Sequence, residues 1–367
     1  MRIAYLSIGG HIHTERWLRY FVRRGHEVHL LTVQPSPIDG VTIHDIRTGI
    51  PVKPLHYAVA LRRVRRILRA IRPDLLHTHF LTGYGYWGAF SGFHPFIMTV
   101  WGDDVYLTPH ESFLKGMLAK TVLRRADLVT GDSADILRRS VQMGADPSVC
   151  HVIQWGVDLT RFRPGAPSGV RESLGIPDEA PLVISIRSFT QPYYNIDVIV
   201  GIIPAVLERH PETHFVFAGN EGDDAAFRRM AAGYTGTDHI HFVGKVPHER
   251  LHEYLVASDV FISVPSVDAT AVSLLEAMAC GTPVIVSDLA SALEWVEDGT
   301  SGLAVPPRDA AALTDSVVRL IEHPELRASM GKASVAAVQE RADHEKHMGR
   351  MNELCEDLVS RWRTREE

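Results

Sequence analysis

The chain has 367 residues, of which 45% are hydrophobic and 22% charged; these are values of a globular protein too long for one ordinary core, so two domains are expected. A formal net charge of −6 excludes a general electrostatic attraction to nucleic acid or to an anionic membrane. Cys150, Cys280 and Cys355 are odd in number and far apart, which excludes a disulfide framework and a zinc-ribbon pattern.

Short apolar strands alternate with helical stretches along the chain, the pattern of a parallel α/β architecture. "MRIAYLSIGG" reads as a strand and a glycine turn, without the basic, apolar and cleavage-site order of a secretory leader. Gly9 and Gly10 end that strand and permit close approach of backbone to a ligand. "HTERWLRYFVRRGH" follows as the first crossover helix, closed by Gly25, and "EVHLLTV" as the next strand. "LRRVRRILRA" holds Arg62, Arg63, Arg65, Arg66 and Arg69 on a helix whose Val64, Ile67, Leu68 and Ile71 have ordinary amphipathic spacing. The arginines are read as a solvated face, with peripheral contact to a lipid surface through residues 62–72 as the alternative.

"LLHTH", "FIMTV", "DLVTGDS" and "CHVIQW" continue the strand series. His77 and His79 alternate along a strand and therefore share a face. "TVWGDDV" places Asp103 and Asp104 just beyond the carboxyl end of "FIMTV", where one of them is a candidate for catalysis and either for a helix cap. "RFRPGAPSGVRESLGIPDEA" breaks the alternation with Pro and Gly, which puts the domain boundary at residues 164/165. A second series follows: "PLVISI", "HFVFAG", "IHFVG", "VFISV", "PVIVS" and "GLAV", and from about Ala310 the chain is helical. Ligands on such sheets bind beyond the carboxyl ends of the strands. With two halves, the cleft between them is the default site. Neither half carries G-x-G-x-x-G, so a dinucleotide reading lacks its main support. No apolar run approaches the roughly 18 residues of a bilayer span. A soluble, cytoplasmic chain is expected.

The segment "SVDATAVSLLEAMACGTPVIVSD" carries the chemistry. It predicts a helix starting near Ala271-Val272 and stopped by Gly281-Thr282-Pro283. Its N-terminus offers unpaired N–H groups and a positive dipole end to a phosphate. Glu276 lies one turn in, among apolar residues, where an unpaired carboxylate is costly. It is therefore read as the acceptor of two ribose hydroxyls, with a protein partner such as an arginine as the alternative. Asp268, before the helix, faces whatever lies beyond the phosphates. Arg187, at the carboxyl end of "PLVISI", can grip diphosphate oxygens in bidentate fashion.

"LLEAMACGTPVIVSD" resembles the signature of the retaining nucleotide-sugar glycosyltransferases of family 4, in which an E-x7-E motif precedes "GxPVI"; this chain has Asp268-x7-Glu276. "GGHIHTERWLRYFVRRGHEVHLLT", "HVIQWGVDLTRFRP" and "SDVFISVPS" resemble further family segments, in family order. The resemblance implies the GT-B fold, two Rossmann-like domains facing across a cleft. Residues 1–164 would take the acceptor, residues 165–344 the donor, and a helix near 345–367 would pack back on the first domain. The implied reaction is transfer of a sugar from a nucleoside diphosphate sugar, a UDP-sugar in preference to a GDP-sugar, to an acceptor hydroxyl with retention. No metal or other cofactor is implied.

Residue by residue, the resemblance assigns Arg187, Asp268, Asp103 and His13 to catalysis. Gly10, Gly219, Asn220, Lys245, Val246, Ala271, Val272 and Glu276 would bind the nucleotide sugar. Three departures stand out: Asp268 replaces the usual Glu, Trp101 stands where relatives have His, and the Lys expected soon after Arg187 is missing. "RSFTQPYYNIDV" has Tyr193, Tyr194 and Asn195 there, so either Lys245, the helix dipole or an aromatic hydroxyl offsets the lost cation, or activity is lower. A nucleotide-sugar 2-epimerase and a non-catalytic nucleotide-sugar binding protein are the competing readings.

Overall fold

The strand–helix alternation is realised as two parallel sheets, each in its own unit of the chain. The computed structural model describes residues 1–219, 225, 229, 230 and 237–366. The first unit comprises Met1–Trp155 and Glu345–Glu367, the second Gly156–His344.

In the first unit, β1 (Arg2–Leu6), β2 (Glu27–Thr32), β3 (Val41–Asp45), β4 (Leu75–His79), β5 (Phe96–Thr99), β6 (Leu128–Gly131) and β7 (Cys150–Val152) form a sheet of order β3-β2-β1-β4-β5-β6-β7. The chain runs outward from β1 to β3, then returns on the other side of β1 as β4. Strand order therefore reverses between β1 and β4, and the ends of these two strands border the crevice where such sheets bind ligands. Helices cover both faces, so central strands are buried throughout; all five residues of β4 are inaccessible, His77 and His79 included. β3 is absent from the sequence reading because "VTIHD" is a half-exposed edge strand without an apolar run. "CHVIQW" pairs only over Cys150–Val152.

The helix Lys53–Ile71 turns Ala60, Val64 and Leu68 inward, and the arginines lie outward as its spacing predicts. Arg63 donates to the carbonyl of Arg47, and Arg65 to those of Phe90 at 2.6 Å and Ser91 at 3.3 Å. The helix His344–Glu366 buries Met348, Met351 and Cys355 and ties itself to the first sheet's surroundings. Asn352 meets His26 at 2.8 Å, Arg23 pairs with Glu345 at 2.8 Å, and Trp362 stacks on His94 at 5.3 Å between ring centroids.

In the second unit, β8 (Leu182–Ile186), β9 (His214–Ala218), β10 (Ile240–Gly244), β11 (Val260–Ser263), β12 (Val284–Ser287) and β13 (Leu303–Val305) take the order β10-β9-β8-β11-β12-β13. The same reversal falls between β8 and β11. The division between units lies after Trp155, which corrects the boundary at 164/165. The Pro- and Gly-containing stretch that looks like a linker is packed into the second unit. Val157 donates to the Ala342 carbonyl at 2.7 Å and accepts from His344 N–H at 3.1 Å, and Phe162 is 1% exposed within that unit's core. Among the described residues no helix is long and apolar enough to cross a membrane.

Candidate functional site

In the second unit the candidate residues gather at the strand-order reversal. Arg187 leaves the end of β8. Ser263 ends β11, and Asp268 follows five residues later in the loop to the helix Val272–Cys280. Arg187 Nη2 donates to Asp268 Oδ2 at 2.6 Å and to Ser263 Oγ at 2.9 Å, and its Nε to the same hydroxyl at 3.1 Å. The guanidinium carbon lies 4.8 Å from the centre of the Tyr194 ring, a cation–π contact. Arg187 and Asp268 side chains retain 11% and 21% exposure, enough for one face of the pair to meet a ligand.

Burial is the largest influence on both groups. It raises the Asp268 carboxyl above its ordinary range. In Arg187 it is outweighed by the charge of Asp268 and by Tyr194, and the guanidinium is raised. The 2.6 Å charge-assisted contact holds the pair ionised. A phosphate entering here meets a guanidinium already shared with a carboxylate.

The segment that replaces the expected Lys braces the loop after β11. Asn195, in the left-handed region at φ 53°, donates from Nδ2 to the Val264 carbonyl and to Ser266 Oγ, both at 2.8 Å. Tyr193 accepts from Ser266 N–H at 2.8 Å. Tyr194 and Asn195 thus orient Arg187 and the loop bearing Asp268, a role the sequence reading did not assign.

The helix Val272–Cys280 begins at Ala271, whose side chain has no acceptor to cap it, and its first turn holds no acid. Its N–H groups therefore face the loop of Asp268 without a competing anion from the helix itself. Gly281, at φ 77°, ends the helix as predicted. Glu276 is 2% exposed, and its Oε1 meets His248 Nε2 at 2.6 Å. His248 packs against Phe162, with ring centroids 5.3 Å apart. The carboxylate therefore has a histidine partner that sequence reasoning missed. The signal was His248 in "VPHER", two residues beyond the Lys245-Val246 pair already singled out.

The remaining donor-side candidates lie at neighbouring strand ends. Gly219 follows β9 and donates to the Gly244 carbonyl at 3.0 Å. Lys245 is exposed, and Val246, half-buried, packs against the core beneath. Asn220 lies outside the described residues.

The first unit brings His11 and His13, just after Gly10, together with Trp101 and Trp155. Gly9 cannot carry a side chain, since a Cβ would stand 1.9 Å from the Gln34 carbonyl oxygen, and Gly10 has φ 74°. His11 caps the first helix by accepting from His13 N–H at 3.3 Å. The His13 ring stands edge-on to Trp155 at 4.3 Å, and Trp101 lies 4.8 Å from Trp155. Trp101 thus completes an aromatic group beyond the strand ends. Asp103 opens the short helix Asp103–Tyr106 and is partly exposed. Asp104 is fully buried and accepts from Leu81, Trp101 and Gly102 N–H groups at 2.6, 3.0 and 2.7 Å, so it fixes the backbone. Burial raises its carboxyl to about 6. His77 bonds Thr99 at 2.7 Å within the core. Among the described residues no three His, Cys, Asp or Glu side chains gather as a metal site.

Comparison with known proteins identifies the family. The family profile described as "Glycosyl transferase 4-like" matches residues 2–133, and "Glycosyl transferases group 1" matches residues 169–336. The chain belongs to the family 4 glycosyltransferases of GT-B fold. It is 31% identical over 225 residues to a GDP-mannose-dependent monoacylated alpha-(1-6)-phosphatidylinositol monomannoside mannosyltransferase of Corynebacterium glutamicum, with 58% of each protein covered. It is 26% identical over 334 residues to a D-inositol 3-phosphate glycosyltransferase of Kribbella flavida, covering 82% of this chain and 78% of that one. The match thus spans somewhat over half the length of the first relative and most of the second. Sucrose-phosphate synthase from Thermosynechococcus elongatus has the same fold, with a TM-score of 0.85 at 22% identity over 98% of this chain and 99% of that one. Anabaena Alr3699/HepE, solved with UDP-glucose, gives a TM-score of 0.83 at 18% identity over 98% and 100%.

Proposed function

We propose that this glycosyltransferase moves a sugar from a nucleoside diphosphate sugar to an acceptor hydroxyl with retention of anomeric configuration, the second unit binding the donor and the first the acceptor. One observation carries the reading: the Arg187–Asp268 pair lies at the switch point of the second sheet, beside an uncapped helix N-terminus with Glu276 one turn further in. Cation, N–H donors and carboxylate follow in the order diphosphate and ribose require. The helix end and Arg187 share the diphosphate charge. Glu276, oriented by His248, accepts the ribose hydroxyls. Asp268 is held by Arg187 toward the transferred sugar.

In the transfer, the bond from the anomeric carbon to the phosphate oxygen breaks as the bond to the acceptor oxygen forms. The departing phosphate oxygen takes the electron pair and the acceptor proton on the same face of the sugar. Preorganised cations at that oxygen supply the main stabilisation. Asp103 and His13 are assigned to positioning the acceptor, and Gly10 to backbone approach. A UDP-sugar is the favoured donor; the anomeric chemistry is the same with a GDP-sugar, the kind of donor in the name of the Corynebacterium relative. The transfer is read as metal-independent.

The test incubates the protein with UDP-glucose and GDP-mannose over an acceptor panel and follows products by mass spectrometry and anomeric NMR. Transfer with retention, unaffected by EDTA, supports the reading. An epimerised sugar formed from donor alone, or binding without turnover across the panel, would replace it.

A further inference from the structure

The first unit contains a cavity of about 880 Å³ that no candidate residue named above lines. That is a volume typical of a small-molecule site, roughly 300–1,000 Å³. It starts at the carboxyl edge of the sheet, where Val33 and Phe80 directly follow β2 and β4 and Ile8 lies two residues past β1. From there its wall runs along the start of the helix Lys53–Ile71, the helix Tyr84–Ser91 and the helix Phe113–Arg125, through Tyr57, Trp87 and Leu118. Aromatic and aliphatic side chains dominate that wall.

Two further features say what fits. Leu114 lines the cavity and is 57% exposed, its neighbours Phe113 and Met117 are 88% and 49% exposed, and Leu55, between the lining residues Pro54 and His56, is 50% exposed. An apolar channel thus opens onto an apolar rim, where a compact polar acceptor gains nothing. The lining residues include Lys53 and Lys115 and no acid; Lys115 also pairs with Glu111.

We propose that this cavity holds the aliphatic chain of an anionic amphiphile, so that the acceptor of the transfer reaction is an amphiphile whose head lies at the sheet edge near Gly10. Gln34 and Thr82 line the sheet-edge end of the cavity, where the head is placed. The chain runs away from it toward Leu114. This deepens the acceptor assignment made above and rests on it for the identity of the head as acceptor; the chain site itself is independent of the transfer.

The test uses the full chain and a monomeric probe, 11-(dansylamino)undecanoic acid, whose fluorescence rises on entering an apolar site. n-Hexyl, n-octyl and n-decyl phosphate, below their micelle concentrations, are then used as competitors. The probe is expected to bind with a stoichiometry of one, and competition to tighten with chain length, approaching fourfold per methylene at the hydrophobic-transfer limit. Decanol is expected to compete more weakly than decyl phosphate. Ala58→Trp, filling the cavity from an exposed position, and Leu114→Ser, at its mouth, should each weaken the probe at least tenfold while leaving UDP-glucose binding unchanged. Absence of probe binding, affinity independent of chain length, or binding unaltered in both variants would overturn the proposal. Sedimentation with phosphatidylglycerol vesicles without binding of the monomeric probe would make the rim a bilayer-docking face, and would equally overturn it. Loss of UDP-glucose binding in the wild type, with the probe bound, would instead strike the donor assignment and leave the chain site standing.

Discussion

Arg187 stands alone where the resemblance led us to expect two cations. Its Lys partner is replaced by Tyr194 beneath the guanidinium and by Asn195, which holds the loop carrying Asp268. Arg187→Ala should lower kcat by about 10²–10³ if the group stabilises the departing phosphate. It should also cost several kcal/mol of stability, because Asp268 is left buried without its cation. Arg187→Lys keeps the charge but not the fork, so steady-state kinetics should place it between the two. The arginine was legible because it follows a strand end. Its pairing with Asp268 was not, since the two are far apart in sequence and meet only through the parallel pairing of β8 with β11. The histidine on Glu276 was hidden for the same reason.

His79 offers a second prediction at this scale. It is buried among Tyr5, Trp17 and Trp101 with neither ring nitrogen bonded among the described residues, and burial lowers it to about 3. A histidine held neutral in the fold contributes stability that is present above its unfolded value near 6.5 and is lost as pH falls toward 3. Between pH 7.5 and 5 that loss is about 2 kcal/mol. Asp104, raised by burial to about 6, titrates with the opposite sign over part of that interval. The measurement is therefore the difference between wild type and His79→Phe in urea midpoints at the two pH values. The variant should lose less stability on acidification; equal losses would mean that His79 is not buried as a neutral ring.

Among the elements, the helix Val272–Cys280 shows a conflict between stability and binding. An Ala at the N-cap leaves the helix end uncapped, with backbone at φ −67° and ψ 117° suited to a capping side chain. Ala271→Asp should raise thermal stability by the equivalent of ~0.5–2 kcal/mol while weakening UDP binding, because a fixed carboxylate then occupies the phosphate's place. Scanning calorimetry and titration on one preparation check both signs; tighter UDP binding would remove the helix end from the site. Legibility at this scale followed burial. Five strands of the second sheet read as apolar runs because they are largely buried, and the half-buried edge strand β10 does so through Ile240, Phe242 and Val243. β3 did not, because its edge position lets Thr42, His44 and Asp45 alternate with Val41 and Ile43.

For the whole molecule, two similar sheets were readable from alternation alone, since βαβ order leaves few topologies. The boundary was not. Pro and Gly between residues 161 and 180 suggest a linker, yet Phe162 anchors that stretch in the second unit. The C-terminal helix, expected to return to the first unit from the family resemblance, belongs to that unit through Met348, Met351 and Cys355. Met351→Asp should therefore destabilise the protein by several kcal/mol and Met351→Leu by less than about 1.5 kcal/mol, measured by thermal unfolding.

Calorimetric titration of UDP into wild type and Glu276→Ala tests most directly why an apolar helix carries a carboxylate. If ribose hydroxyls bond to it, the variant binds UDP about 10–100-fold more weakly, the loss of hydrogen bonds to a charged group. Equal affinity in the two proteins would mean that His248 alone accounts for Glu276, and the donor site would have to be sought elsewhere.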